Sequence, residues 1–491
     1  MSPSSTQSHI VPGSFLLMAL LCFCTHSTAD ELAERILPLR EQARIIDDVL
    51  AERLDEVVPM LMRREGIDAW VIISREYNED PVLKTMLPAT WLNARRRTVL
   101  MFIDHGDARG VERMAVARYA VAELFPGVWD PEEQPDQWAR IAELLTEANP
   151  QRIALNYSDD YGLADGLTYS EHRDFTNALP APMRDRIESA EALAVGWLET
   201  RTDREIELYR EVMGIAHDII REGFSAAVVT PGETTLDDLA WWFRQRVNDL
   251  GLQTWFHTGM EVERSQQDRE RIEELGLNPE VLYRGDHVHI DFGISYLRLQ
   301  TDTQQNAYIL REGETEVPDY LKAALAEGNR LQDILTSHFQ VGRSGNDILR
   351  MSLEQAKDEG LDPIIYTHPI GLHGHAAGTT IGMWDQQGGV PGSGDYLMQP
   401  NTAYSIELNA QVAIPEWGEE PLPMKLEEDG FFDGETFEYI QPRQTEYHII
   451  DPNFDTPFNN LSISLSLHTG VPLALALNSL SQVPAFLSAP L

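Results

Sequence analysis

The 491-residue sequence predicts a mixed α/β (α+β) protein of two domains. Three observations predict it. Residues 30–195 alternate helical and strand-like stretches. A long amphipathic stretch opens after Trp197. Beyond it, short apolar runs of strand composition carry isolated carboxylates and histidines. Apolar residues make up 43% of the chain, enough for a sizeable core.

The first element is an apolar run, "SFLLMALLCFC" (14–24), followed by "STA" (27–29). It has the length of a signal-peptide core with a small-residue cleavage site, and it is too short to span a bilayer. No Lys or Arg precedes it. The expectation is a signal peptide over 1–29 and an exported chain, periplasmic or secreted; a misassigned start would leave it cytoplasmic. Both cysteines, Cys22 and Cys24, lie in this segment, so the mature chain would have no disulfide and no thiol nucleophile.

An N-terminal α/β domain is expected over 30–195. "LAERLDEVVPMLMRREG" (50–66) has helical periodicity and stops at Gly66, and "AWVIIS" (69–74) and "RTVLMFID" (97–104) have strand composition. No phosphate loop, dinucleotide fingerprint or G-x-S-x-G elbow occurs in it. The boundary is expected at about 195–200. "TRTDREIELYREVMGIAHDIIREGFSAA" then begins a long helix with Thr202 or Asp203 as its cap.

The formal charge of −41 argues against nucleic-acid binding and against docking on anionic lipid. Only four bases are Lys (Lys84, Lys322, Lys357, Lys425). That balance suits a salty medium, and genomic base composition gives the same bias. From Thr456 to Leu491 there is no Asp, Glu, Lys or Arg, and prolines at 457, 472, 484 and 490 divide the stretch. Residues 453–491 read as a non-catalytic, poorly ordered tail; a translated frameshift gives the same pattern.

The chemistry lies between. "HVHIDFGISYLRLQTD" (287–302) holds Asp291 and Asp302, which two antiparallel strands joined by a hairpin would bring to one point. A half-buried Asp291 must find a cation or strong donors. "THPIGLHGHAAG" (367–378) carries His368, His373 and His375 among glycines, without the H-E-x-x-H spacing of helical zinc sites. "AYSIELNAQV" (403–412) and "PMKLEEDGFF" (423–432) place Glu407 and Glu427 inside strand-like runs, where a carboxylate needs a partner. Each piece alone also fits an ordinary turn acid or a satisfied histidine.

Together, D-x₁₀-D, H-x₂-G-L-x₂-H, an I-E strand and a K-L-E strand resemble the pita-bread metallopeptidases, the superfamily of methionine aminopeptidase, aminopeptidase P and prolidase. The resemblance covers about 200–450. The two-domain layout is similar to the aminopeptidase P, prolidase and creatinase branch. It implies a creatinase-like N-terminal domain and a pita-bread catalytic domain over 196–452. It also implies that Asp291, Asp302, His368, Glu407 and Glu427 bind two divalent metals, with Asp302 and Glu427 bridging. Glu407 would double as general base or acid, and His375 would face substrate and the developing oxyanion. His257 would match an upstream histidine at the site's mouth. It stands 34 residues before Asp291, a longer gap than usual, and "SQQDRERIEELGLNPE" (265–280) reads as the insertion that accounts for it. His373 matches no ligand position. Two residues depart from the pattern: Gln305, where the family often has Arg, and Leu408, where a Pro is usual.

Oxygen-rich ligands suit Mn²⁺ first, with Co²⁺, Fe²⁺ or Zn²⁺ as alternatives. The activity implied is hydrolysis of Xaa-Pro bonds in a peptide or dipeptide through a metal-bridging hydroxide. The alternatives are hydrolysis of another C–N bond, as in the creatinase branch, and a non-catalytic binding protein of the same fold. Relatives are often dimers or tetramers, so the resemblance also admits a homodimer.

Overall fold

The computed structural model describes residues 31–452. The segments read as signal peptide (1–29) and tail (453–491) lie outside the described residues. No helix among the described residues is long and apolar enough to cross a membrane.

The first sheet holds β1 (Ala69–Arg75), β2 (Arg97–Asp104), β3 (Val111–Val116), β4 (Ile153–Leu155) and β5 (Ile187–Ser189) in the order β3-β2-β1-β4-β5. β1 pairs antiparallel with β2 and parallel with β4. Its first six residues are all buried because both faces of the sheet are covered. Trp70, Ile72, Leu100 and Phe102 pack under the helices Leu39–Glu65 and Glu191–Glu199. Val71, Ile73, Val99 and Met101 face the helices Gln137–Ala148 and Tyr169–Ala178. The helix Leu39–Glu65 begins earlier than its clearest periodicity and stops at Gly66, whose φ of 67° is a left-handed cap.

The chain enters the second core at the helix Asp203–Gly223. A reciprocal capping box between Thr202 and Glu205 starts it. Ile206, Tyr209, Val212, Met213, Ala216, Ile219 and Ile220 form its buried stripe. Glu205 also joins the two cores. Its carboxylate takes Arg53 from the helix Leu39–Glu65 at 2.5 Å and Arg201 at 2.8 Å, all three fully buried. Charges so desolvated persist only as a mutually paired set.

The remaining strands are β6 (Gly259–Glu263), β7 (His287–Phe292), β8 (Ser295–Tyr296), β9 (Leu299–Gln300), β10 (Thr303–Ile309), β11 (Pro363–Ile365), β12 (His368–Pro369), β13 (Thr402–Ser405), β14 (Leu408–Val412), β15 (Leu422–Leu426), β16 (Asp429–Phe432), β17 (Phe437–Tyr439) and β18 (His448–Ile450). They form the sheets β18-β10-β7-β6, β11-β14-β15 and β12-β13-β16-β17, with a small β8-β9 hairpin. Between the two middle sheets the strands are interrupted in register. Ile365 pairs with Leu408 and Leu408 with Leu426 on one side of the interruption. His368 pairs with Ser405 and Ser405 with Asp429 on the other.

This corrects one expectation. Glu407 and Glu427 are not mid-strand residues; they occupy the breaks between β13 and β14 and between β15 and β16. His368 opens β12 directly after its break, and Asp302 precedes β10. The joint is still hydrogen-bonded: Ile406 N donates to Glu428 O at 3.0 Å, and Gln304 N donates to Glu427 O at 3.1 Å. The apolar runs look continuous in sequence because residues on both sides of each break enter cores.

Candidate metal centre

Each expected ligand reaches the joint from a different element. β7 and β10 pair antiparallel, with Gln304 opposite Asp291, which brings the Asp291 and Asp302 side chains together. Asp291, Asp302 and Glu427 form one group whose ligand atoms lie within 4.8 Å of one another. His368, Glu407 and Glu427 form a second. Glu427 belongs to both. His368 Nε2 lies 3.6 Å from Glu427 Oε1, 3.8 Å from Glu407 Oε2 and 3.9 Å from Asp302 Oδ2. Two donors each about 2.1 Å from one ion lie at most about 4.2 Å apart, so these spacings suit shared coordination.

The unpaired atoms point the same way. Asp291 Oδ1, Asp302 Oδ1 and His368 Nε2 are buried without a hydrogen-bond partner. His368 Nδ1 is 3.0 Å from Pro369 O, so the proton belongs on Nδ1 and the Nε2 lone pair is left for a cation. These side chains can hold metal, and their oxygen-rich composition fits a hard or borderline divalent ion.

The electrostatics of the cluster favours a compensating positive charge. Burial, reinforced by Glu427, pushes the Asp291 carboxyl up from 3.8 to about 8. Burial and then Glu427 raise Asp302 and Glu407 well above the carboxylate range. The folded state therefore holds protons that the unfolded chain releases between about pH 4 and pH 8. The carboxyls' contribution to stability without metal falls as pH rises through that window; buried His287, His289, His373 and His448, lowered to between about 3 and 4, oppose it below about pH 6.5. Chelator-treated protein is expected to melt at a higher temperature at pH 6.5 than at pH 8, where the histidines no longer titrate strongly, with divalent cation restoring most at pH 8. Calorimetry showing a flat or rising melting temperature over that range would contradict this account of the cluster.

His375 stands at the cavity side of the group. Its ring is 4.7 Å from that of His368 and 5.1 Å from Trp255. Burial, then His368, lowers its pKa, which keeps it neutral and able to donate one N–H. Gly374 is required by Trp255, since a Cβ there would lie 2.2 Å from the indole. His373 lies behind, half-buried; burial, then Arg201, lowers its pKa to about 4. It joins none of the metal-competent groups among the described residues. His257 is exposed, 3.2 Å from Arg244 and stacked near Trp241 at 5.2 Å. It is not among the residues lining the cavity.

That cavity holds about 440 Å³. His368, His375, Glu407 and Tyr366 form one end, and Ala376, Ala377, Met383 and Trp384 form an apolar wall. Asp160, Tyr161, Gly162 and Leu163, from the N-terminal part of the chain, close the far side.

Sequence reasoning missed Gln304 and Ser405. Gln304 Nε2 donates to Glu407 Oε1 at 2.5 Å and Glu427 Oε2 at 2.9 Å, while its Oε1 meets His289 Nε2 at 3.0 Å. Ser405 Oγ donates to Glu427 Oε1 at 2.6 Å. Each Glu427 oxygen thus keeps a lone pair free, and Glu407 is held with Oε2 turned to His368. The signal was available: on a strand, Gln304 shares the face of Asp302 two residues before it. Gln305, the position that departs from the family pattern, points away and meets His448 at 2.6 Å. Gln304→Leu is expected to weaken Mn²⁺ binding roughly 10–100-fold, as removal of such ligand-orienting partners does elsewhere. Calorimetric titration of the chelated variant measures it; unchanged affinity would rule out an orienting role.

No protein-family model and no curated protein matches the sequence. Solved structures do resemble it. X-Pro aminopeptidase from Thermotoga maritima is 17% identical, with 80% of this chain and 99% of that one covered and a TM-score of 0.54. Xaa-Pro dipeptidase from Bacillus anthracis is 18% identical, with 82% and 100% covered and a TM-score of 0.52. A dipeptidase from Mycobacterium ulcerans is 15% identical, with 82% and 99% covered and a TM-score of 0.53. At these identities the likeness is one of fold: this chain is built on the pita-bread fold of the Xaa-Pro peptidase structures.

Proposed function

We propose that this chain is a two-metal peptidase that hydrolyses Xaa-Pro bonds in short peptides, as an aminopeptidase or dipeptidase. The pair of ligand groups sharing Glu427 carries the reading. Asp291, Asp302 and Glu427 would hold one divalent cation, and His368, Glu407 and Glu427 the other, with Mn²⁺ favoured. Such ions, when bound, acidify water and polarise a carbonyl.

The chain's own groups do the rest. Glu407, anchored through Oε1 by Gln304, takes the proton of the attacking water and returns it to the leaving nitrogen. His375 donates its N–H to the carbonyl oxygen as that oxygen becomes anionic. The apolar wall of Ala376, Ala377, Met383 and Trp384 receives the proline ring, and the bound ring in turn covers the exposed Trp384. The fold supports the peptide class, because solved structures that resemble the chain act on Xaa-Pro peptides by name.

The test is metal analysis with a substrate panel. Freshly purified protein should carry about two divalent metals per chain. It should cleave Xaa-Pro peptides in preference to Xaa-Ala, lose activity to a chelator and recover it with Mn²⁺ or Co²⁺. Active protein without metal would remove the mechanism.

A further inference from the structure

The N-terminal sheet ends in a group of arginines that the proposed reaction does not use. Arg75, the last residue of β1, lies directly opposite Arg97, the first of β2. β2 pairs with β3 through Val99 opposite Val116. Arg118 lies two residues past the end of β3, in a bend, and lines the same hollow as Arg75 and Arg97. Two paired strands and the segments beside them thus bring Arg75, Arg96, Arg97 and Arg118 around one hollow at the end of the sheet. Like charges opposite one another on a sheet repel and need compensation.

The compensation is incomplete. Glu171 alone serves two of them, at 3.1 Å from Arg75 Nε and 2.7 Å from Arg97 Nε. Glu76 also lines the hollow, but its carboxylate accepts from the backbone N–H of Arg96 at 3.2 Å. The side chains of Arg96 and Arg118 are exposed, with no carboxylate in ion-pair range among the described residues. This occurs in a chain with 79 acidic residues against 38 basic ones. Arg96 also sits at φ 56°, a left-handed conformation that a non-glycine residue adopts at a cost and that clusters at binding sites.

The arginines surround a concavity of about 450 Å³, completed by Trp129 and Gln137. Its floor is fixed. Trp129 Nε1 donates to Gln134 O at 2.7 Å, and Gln137 Nε2 donates to Val116 O at 2.7 Å. The concavity shares no lining residue with the cavity at the metal cluster.

We propose that this concavity binds a small oxyanion ligand with two or more negative charges, a phosphate or a polycarboxylate. Forked guanidinium groups match both, and Trp129 offers an apolar wall for the ligand's carbon skeleton. The site is separate from peptide hydrolysis.

The experiment titrates the metal-loaded full chain with inorganic phosphate and, separately, with succinate, at ionic strength held constant with NaCl. Melting temperature, heat of binding and peptide hydrolysis are followed together. The expected result is a saturable rise of several degrees with at least one anion, with hydrolysis unaffected at that concentration; which anion acts distinguishes phosphate from carboxylate. In Arg96→Ala/Arg118→Ala the affinity should fall by roughly tenfold or more. Without ligand that variant should melt no lower than the parent, because repulsion is relieved. Arg118→Glu, a single change at an exposed position, should abolish the effect while hydrolysis remains normal. Absence of a saturable response to either anion overturns the proposal. So does binding that persists in both variants, which would place the anion at the metal cluster instead.

Discussion

Glu427→Ala is expected to empty both cation sites at once and reduce hydrolysis to background. No other residue belongs to both the Asp291–Asp302 group and the His368–Glu407 group. Its side chain is 2% exposed, so no solvent-facing carboxylate can replace it. The fold should survive, because Glu427 exchanges two backbone hydrogen bonds with Gln304, at 3.1 and 3.4 Å, and these do not involve the side chain. The variant also removes one of the carboxylates that raise Asp291, Asp302 and Glu407. Metal-free Glu427→Ala should therefore melt higher at pH 8 than the metal-free parent. Elemental analysis, rate and circular dichroism on the same preparation decide it. Retention of one metal per chain would show that the two groups do not depend on this shared residue.

His368→Ala and His375→Ala are expected to fail in different ways. His368 supplies the one nitrogen of the proposed ligand set, with Nδ1 engaged by Pro369 O and Nε2 free. Its loss should lower metal content and activity together. His375 offers a ring nitrogen within 4.8 Å of Asp302 and His368, and its more exposed ring lines the cavity. Its loss should leave metal in place and slow turnover by roughly 10²–10³, the effect of removing one oxyanion donor. His373→Ala should leave metal and rate near normal and cost about 1 kcal/mol of stability, since its half-buried ring packs near Arg201. Metal content measured across the three variants is the deciding readout. If His375→Ala empties a site, that imidazole is a ligand; if His373→Ala does, the register of the whole motif is wrong.

The N-terminal strands were legible because continuous apolar runs covered on both faces have few readings, and "AWVIIS" and "RTVLMFID" became β1 and β2. The helix after Thr202 was legible from its cap and its stripe. The order of acids and histidine was legible too, since a carboxylate amid apolar neighbours marks a need for compensation. The breaks were not. Nothing in "YSIELNA" shows that the ladder stops at Ser405 and resumes at Leu408, because both pieces are apolar and the interruption is set by partners 18 or more residues away. Gln304 escaped because a neutral amide carries no charge signal; only its position on the face of Asp302 gives it away. The surroundings of His257 are set by Arg244 and Trp241 of the helix Leu236–Asp249 and could not be read from spacing.

The interrupted seam also sets an order of events during synthesis. One ligand group draws on residues from Asp291 to Glu427 and the other on residues from His368 to Glu427. Neither is complete until the last of these has been synthesised. Closing loops of that length around a loose ion costs entropy that a few ligand bonds in an unfolded chain do not recover. The sheets would therefore assemble first, using backbone pairing that spans the seam without metal, and a cation, under the proposed reading, would enter a finished frame.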